Sequence, residues 1–181
     1  SFEKAFPQGR TETFEIECFW NENNTGFAAA CNQGIRAAKQ SGFEGFLWLL
    51  NNDTLPEPDA LKELLNVAVN THAGITGSQI VDMQGNFAGG VGFVNSNYAT
   101  VRRAASPEER GFNYVEGSSF LISPDCLWKV GELPEEYFLY FEESDYCYRA
   151  RLAGFDIAWA TRSIVRHDIG SSTGSEEGKG K

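Results

Sequence analysis

The order of apolar and amphipathic segments predicts an α/β domain, with a mostly parallel sheet flanked by helices. Two observations carry this expectation. Gly45-Phe46-Leu47-Trp48-Leu49-Leu50 is a nearly continuous apolar run, the pattern of a strand buried on both faces. Behind it, Pro56-Glu57-Pro58-Asp59 is a helix-start signal, and Ala60 to Asn70 carries Leu61, Leu64, Leu65 and Val69 at helical spacing. A chain of 181 residues is long enough for one domain with a substantial core.

The other elements follow in order. Residues 1–15 read as polar and irregular, with Pro7 and Gly9 as breakers. The alternation Phe14-Glu15-Ile16-Glu17-Cys18-Phe19 predicts a short strand. Gly26 to Lys39 predicts a helix whose Ala28, Ala29 and Ala30 permit close packing, with Gly42 as a left-handed cap. Ala73 to Val81 reads as a strand, Gly85 to Arg103 as hairpins, and Ala104 to Gly111 as a charged loop. Tyr114 to Ile122 is strand-like with a glycine break. Pro124–Val130 and Ser144–Ala153 read as helices, then Asp156–Ala160 and Ser163–His167 as strands. The Gly/Ser/Glu/Lys-rich stretch 170–181 has the composition of a disordered tail.

Composition narrows the functional classes. The net charge of -10 argues against a general nucleic-acid binder, which needs a basic footprint. A nucleotide ligand remains compatible, because a divalent cation neutralises a diphosphate. The four cysteines form no CxxC pair and read as reduced thiols of a cytoplasmic protein. No apolar run is long enough to span a bilayer, and no signal peptide is visible. The one methionine is Met83, so the chain reads as a fragment or a processed form.

Two acidic segments carry the chemistry. In Phe138-Leu139-Tyr140-Phe141-Glu142-Glu143-Ser144-Asp145 three carboxylates follow an aromatic approach. Carboxylates in a helix's first turn are favoured by its dipole, which is the structural reading of this block. Held beside apolar groups, a carboxylate has a raised pKa and suits a general base. Arg149 or Arg151, one or two turns on, can pair with the others. The second segment, Leu50-Asn51-Asn52-Asp53-Thr54, ends the apolar run in a carboxylate. It reads either as a turn or as an Asn51/Asp53 oxygen pair that faces one side in extended chain and holds Mg²⁺ or Mn²⁺ loosely. His72 reads as exposed or structural. His167, after a short apolar run, is a candidate further ligand for Mn²⁺.

Taken in order, these blocks resemble family-two glycosyltransferases of the GT-A fold, the Rossmann-like fold of nucleotide-diphospho-sugar transferases. Asn24-Thr25-Gly26-Phe27-Ala28-Ala29-Ala30-Cys31-Asn32-Gln33-Gly34 is similar to that family's helix start. Leu50-Asn51-Asn52-Asp53-Thr54 looks like a variant of its DxD motif, followed by Pro58-Asp59-Ala60-Leu61. Tyr114-Val115-Glu116-Gly117 and Phe120-Leu121-Ile122 resemble its acceptor-side strand. Phe138 to Asp145, Gly154-Phe155 and His167 complete the series. The nearest subgroup looks like the rhamnosyltransferase-like enzymes of bacterial polysaccharide assembly.

The resemblance implies residue roles. Asn24, Gly26, Asn32, Asn51 and Asp53 would lie on the donor side, and Gly117 and Asp145 on the acceptor side. Asp53 and His167 would hold Mn²⁺ or Mg²⁺. Glu143 stands where the family usually carries a catalytic Asp and would deprotonate the acceptor hydroxyl, with Glu142 the second choice. The activity implied is transfer, with inversion, from a dTDP- or UDP-sugar to a saccharide or lipid-linked saccharide. The setting would be the cytoplasm, possible peripheral association with the inner membrane face included. The family's first strand and nucleotide-holding segment find no match here. Residues 1–169 therefore read as a partial domain, truncated at the N-terminus, expected by itself to bind nucleotide poorly. The alternative is a non-catalytic domain of the same fold that binds nucleotide-sugar or a partner.

Overall fold

The computed structural model describes residues 2–5, 11–14, 16–95, 98 and 100–168. Its centre is a six-stranded sheet ordered β3 (Leu47–Leu50), β10 (Ser119–Ile122), β5 (Ile75–Val81), β11 (Ile157–His167), β4 (Thr54–Pro56), with β6 (Phe87–Gly89) also paired to β5. A second, three-stranded sheet, β8 (Thr100–Arg103), β7 (Val91–Asn95) and β9 (Tyr114–Val115), packs against it, with Val91 and Val115 in one core with Ile75 and Phe120. The helices are α1 (Phe27–Gln40), α2 (Ala60–Thr71), α3 (Pro124–Val130) and α4 (Glu142–Leu152).

Helices cover both faces of the central sheet, and β10 shows how. Its four residues are all buried. Phe120 and Ile122 pack with Ala28 and Ile35 of α1, Cys126 of α3 and Tyr146 and Cys147 of α4. Leu121, pointing the other way, packs with Leu64 and Ala68 of α2. Two of the helices bury a narrow stripe: Ala28, Asn32 and Ile35 on α1, and Ala60, Leu64 and Ala68 on α2. These spacings of three and four residues keep one face inward. His72 ends α2 in the left-handed region at φ 53°, and Gly42 follows α1 at φ 76°.

The expected mostly parallel sheet is corrected. Among the described residues only β5 and β11 run parallel, while β10 is antiparallel to both β3 and β5. An apolar run specifies burial, not the direction of a neighbour, so the sequence pattern could not separate these cases. The doubly buried strand is β10 rather than β3. Among the described residues β3 pairs only with β10, and its side chains are half-buried, with Leu50 exposed. The segment Phe14–Phe19 is also corrected. Phe2–Ala5 (β1) and Thr11–Phe14 (β2) form an antiparallel pair inside the stretch expected to be irregular, whereas Ile16 to Trp20 has no regular structure. The two strands expected at 156–167 are one strand with a bulge between Ala160 and Ile164. The expected tail, 170–181, lies outside the described residues.

A buried hydroxyl chain crosses the α2 face. Trp48 Nε1 donates to Ser119 Oγ at 3.0 Å, Ser119 and Ser78 hydroxyls meet at 2.7 Å, Ser78 and Ser163 at 2.8 Å, and Ser163 donates to the Ala60 carbonyl at 2.8 Å. The two ends fix the direction. Ser163 must accept from Ser78, and Ser78 from Ser119, so every hydroxyl in the chain has an acceptor for its proton. The chain ties β3, β10, β5 and β11 to the start of α2.

Candidate functional site

The carboxyl end of β3, the turn between β9 and β10, and the first turn of α4 enclose a cleft of about 370 Å³. The turn is drawn to β3 by the Asn51 amide, which donates to the Ser118 carbonyl at 3.2 Å. Helix α4 is drawn to β9 by the Val115 amide, which donates to Cys147 Sγ at 3.4 Å. The cleft is thereby lined by Asn51, Gly117, Glu142, Glu143 and His167 together. Five of the expected site residues, from four separate sequence blocks, converge there.

The carboxylates owe their position to the helix stripe. Glu142, Tyr146 and Ala150 follow one another at four-residue spacing on the inward face of α4, and all are buried. Tyr140 and Phe141, just before the helix, have φ of 68° and 74°. Bulky residues seldom adopt the left-handed region, at about 1–3 kcal/mol each. This strained turn aims the first helical turn inward. The Glu142 and Glu143 Oε2 atoms are buried with no hydrogen-bond partner among the described residues.

Burial pushes Glu143 up to about 7, with the neighbouring Glu142 charge adding to the rise. Burial raises Glu142 as well. The helix dipole opposes both shifts, by up to about 2 kcal/mol in a partly buried site, yet both pKa values rise, so desolvation prevails. Gly117 keeps the cleft wall between Phe27 and Glu143 open. A Cβ on Gly117 would stand 3.3 Å from the Phe27 ring and 3.9 Å from Glu143 Cβ, so a larger side chain would crowd the cleft wall.

Asp53 and His167 meet at the other end. The strand register sets Thr54 beside His167, and Asp53 Oδ1 lies 3.2 Å from His167 Nε2. Asn51 and Asp53 do not share an extended strand, as the sequence reading supposed. Residues 52 and 53 form a turn closed by the Thr54 amide and hydroxyl, which both donate to the Asn51 carbonyl. The Asn51 Oδ1 atom is buried without a hydrogen-bond partner among the described residues. Two ligands held at about 2.1 Å from an ion and at right angles to it stand about 3 Å apart. The Asp53–His167 pair meets that spacing, and carboxylate oxygen with imidazole suits Mn²⁺. Among the described residues no three His, Cys, Asp or Glu side chains converge as a metal cluster. The pair would therefore supply two protein ligands to such an ion, by its chemistry and spacing.

Other expected residues have different surroundings. Asn32 is fully buried outside the cleft and clamps the loop after α3. Its amide donates to the Leu133 carbonyl and to Glu135 Oε1, both at 2.9 Å, and its oxygen accepts from the Leu133 amide at 2.9 Å. Replacing Asn32 by Ala is expected to lower stability by about 2–3 kcal/mol in urea titrations. A donor-contacting Asn32 would instead leave stability unchanged and weaken nucleotide binding. Asn24 Oδ1 accepts from the Gly26 amide at 3.0 Å, outside the cleft. Gly26, at φ 85°, admits the Phe138 backbone, since a Cβ there would meet the Phe138 carbonyl at 2.4 Å. Asp145 pairs with Arg149 at 3.3 Å on the outer side of α4.

Three cleft residues escaped the sequence reading: Glu116, Arg102 and Arg103. Buried Glu116 accepts from the Gly90 amide at 3.0 Å and pairs with Arg103 at 3.3 Å, and burial raises its pKa. Gly89 leaves room for it, because a Cβ there would meet Glu116 Oε1 at 2.4 Å. Arg102 lies over the Phe93 ring at 3.8 Å and pairs with Glu109 at 2.8 Å. These two arginines are cations on the wall of an otherwise acidic cleft. Glu116 lay inside a quoted motif block, but its partners stand on β8 and the β6–β7 turn, too far along the chain for spacing to reveal.

Residues 8–177 match the sequence profile described as "Glycosyltransferase like family 2". The chain belongs to this family. It is 24% identical over 140 residues to the low-salt glycan biosynthesis hexosyltransferase Agl10 of Haloferax volcanii, covering 74% of this chain and 46% of that protein. Among solved structures it is similar to GalNAc-T7, crystallised with UDP, GalNAc and Mn²⁺, at a TM-score of 0.61 and 16% identity. That match covers 82% of this chain and 31% of the other, and it establishes the GT-A-like fold. The family-two chain thus spans less than half the length of either protein. Membership supports the glycosyltransferase reading of the cleft.

Proposed function

We propose that the cleft transfers a sugar from a nucleotide diphosphate donor to an acceptor hydroxyl by a single displacement that inverts the anomeric carbon. The observation that carries this reading is the pair of buried Glu142 and Glu143 oxygens, without a hydrogen-bond partner among the described residues, in one cleft with Asn51 and His167. Glu143 accepts the acceptor's O–H proton as that oxygen bonds to the anomeric carbon. The bond from that carbon to the diphosphate breaks in the same step, and the nucleoside diphosphate leaves. Glu142 keeps its neighbour's proton affinity high enough for the task. Asp53 and His167 would hold a divalent cation, Mn²⁺ or Mg²⁺, which when bound offsets the charge of the leaving diphosphate.

A dTDP- or UDP-sugar donor, rhamnose included, and a saccharide or lipid-linked acceptor fit this reading. The exposed Tyr137-Phe138-Leu139-Tyr140-Phe141 segment beside the cleft supports a site that works against a glycan or at a membrane face. Among the described residues no helix is long and apolar enough to cross a membrane. A non-catalytic sugar-nucleotide binder would need no buried base, and two desolvated glutamates would then lower stability with no return.

The test is release of nucleoside diphosphate from dTDP- and UDP-sugars by the intact protein. Turnover with Mn²⁺ and none after chelation is the expected result. Binding of the same nucleotides without turnover under any acceptor would favour the non-catalytic domain.

A further inference from the structure

The outward face of α4 carries Phe141, Asp145, Tyr148 and Arg151, spaced by four, three and three residues, so all lie along one side of the helix. With Tyr137 and Asn113 they enclose a second groove of about 370 Å³. Phe141 and Ser144 belong to both the groove and the catalytic cleft, so the two are continuous around the start of α4. The groove's chemistry is mixed. Tyr148 is 56% and Phe141 53% exposed, so their ring faces are open to a ligand in the groove. Beside them are a carboxylate, Asp145, already oriented by Arg149 at 3.3 Å, and the Arg151 guanidinium. Aromatic faces with a few convergent polar groups match a pyranose ring, whose C–H face is apolar and whose rim is hydroxyl.

Resting on the transferase reading above, we propose that this groove binds the second sugar unit of the acceptor, so that the enzyme extends an existing glycan rather than a single sugar. The acceptor then enters along α4. Its terminal hydroxyl reaches Glu143 while the preceding residue stacks on Tyr148 and hydrogen-bonds to Asp145 and Arg151. The groove is more apolar than the catalytic cleft, as expected of a surface that binds without reacting.

The test uses the intact protein with p-nitrophenyl glycosides of glucose, galactose and mannose, and those of maltose, lactose and mannobiose. For the accepted configuration, the disaccharide is expected to exceed the monosaccharide about tenfold in kcat/KM, mostly through KM. Tyr148→Ala and Arg151→Gln are each expected to bring that ratio toward one. Leu152→Ala, on the same helix but outside the groove, should leave the ratio as it is. A wild-type ratio of one, or a ratio unchanged in both variants, overturns the subsite while the transferase reading stands. Absence of any donor turnover overturns that reading, and the subsite with it.

Discussion

Glu143→Gln is expected to lower kcat by about 10²–10⁴-fold with the fold intact, the usual loss when a general base is removed. Gln keeps the shape and cannot take the proton. The pH dependence follows from the same side chain. Burial, then the Glu142 charge, lifts Glu143 to about 7, and a base acts only when deprotonated. The rate should therefore rise as pH rises through about 7 and level off above it. Glu142→Gln removes the second cause of the rise and should move this limb to lower pH. If Glu143→Gln kept wild-type kcat, the base assignment would fail and Glu142 would be next to test.

Asp53→Ala is expected to weaken Mn²⁺-dependent binding of UDP or dTDP to the intact protein by about 100-fold or more, read by calorimetry. The reason is geometric. Asp53 Oδ1 and His167 Nε2 stand 3.2 Å apart, so removing one leaves the other without its companion ligand. Without added metal, Asp53→Ala should bind nucleotide as weakly as the wild type. Equal affinities in the presence of Mn²⁺ would remove Asp53 from the metal site and leave its contact with His167 as a structural one.

Much of this was legible because it is local. The helical spacing of Leu61, Leu64 and Leu65 marks α2 without reference to anything else. The motif blocks that end β3 and open α4 named Asn51, Glu142 and Glu143 before their meeting was visible. What escaped depends on distant partners. The run Phe46–Leu50 shows that a strand is apolar, but β10, about 70 residues on, decides its neighbour and direction. Asn32 looks like any polar residue near a helix start until Leu133 takes both ends of its amide. The spacing of Asn51 and Asp53 suits an extended chain, but Thr54 closes a turn on the Asn51 carbonyl, and the register of β4 with β11, invisible to spacing, is what brings His167 beside Asp53. Glu116 becomes visible only when Gly89 and Gly90 vacate the space it fills and Arg103 reaches it from β8.

The central claim is a direct displacement in this cleft with Glu143 as base. Its most direct test is the anomeric configuration of the product, read by proton NMR on the reaction of the intact protein with its sugar nucleotide. A linkage inverted relative to the donor is the predicted result. A retained configuration would require a second displacement or a front-face route, neither of which gives Glu143 this role, and would contradict the account.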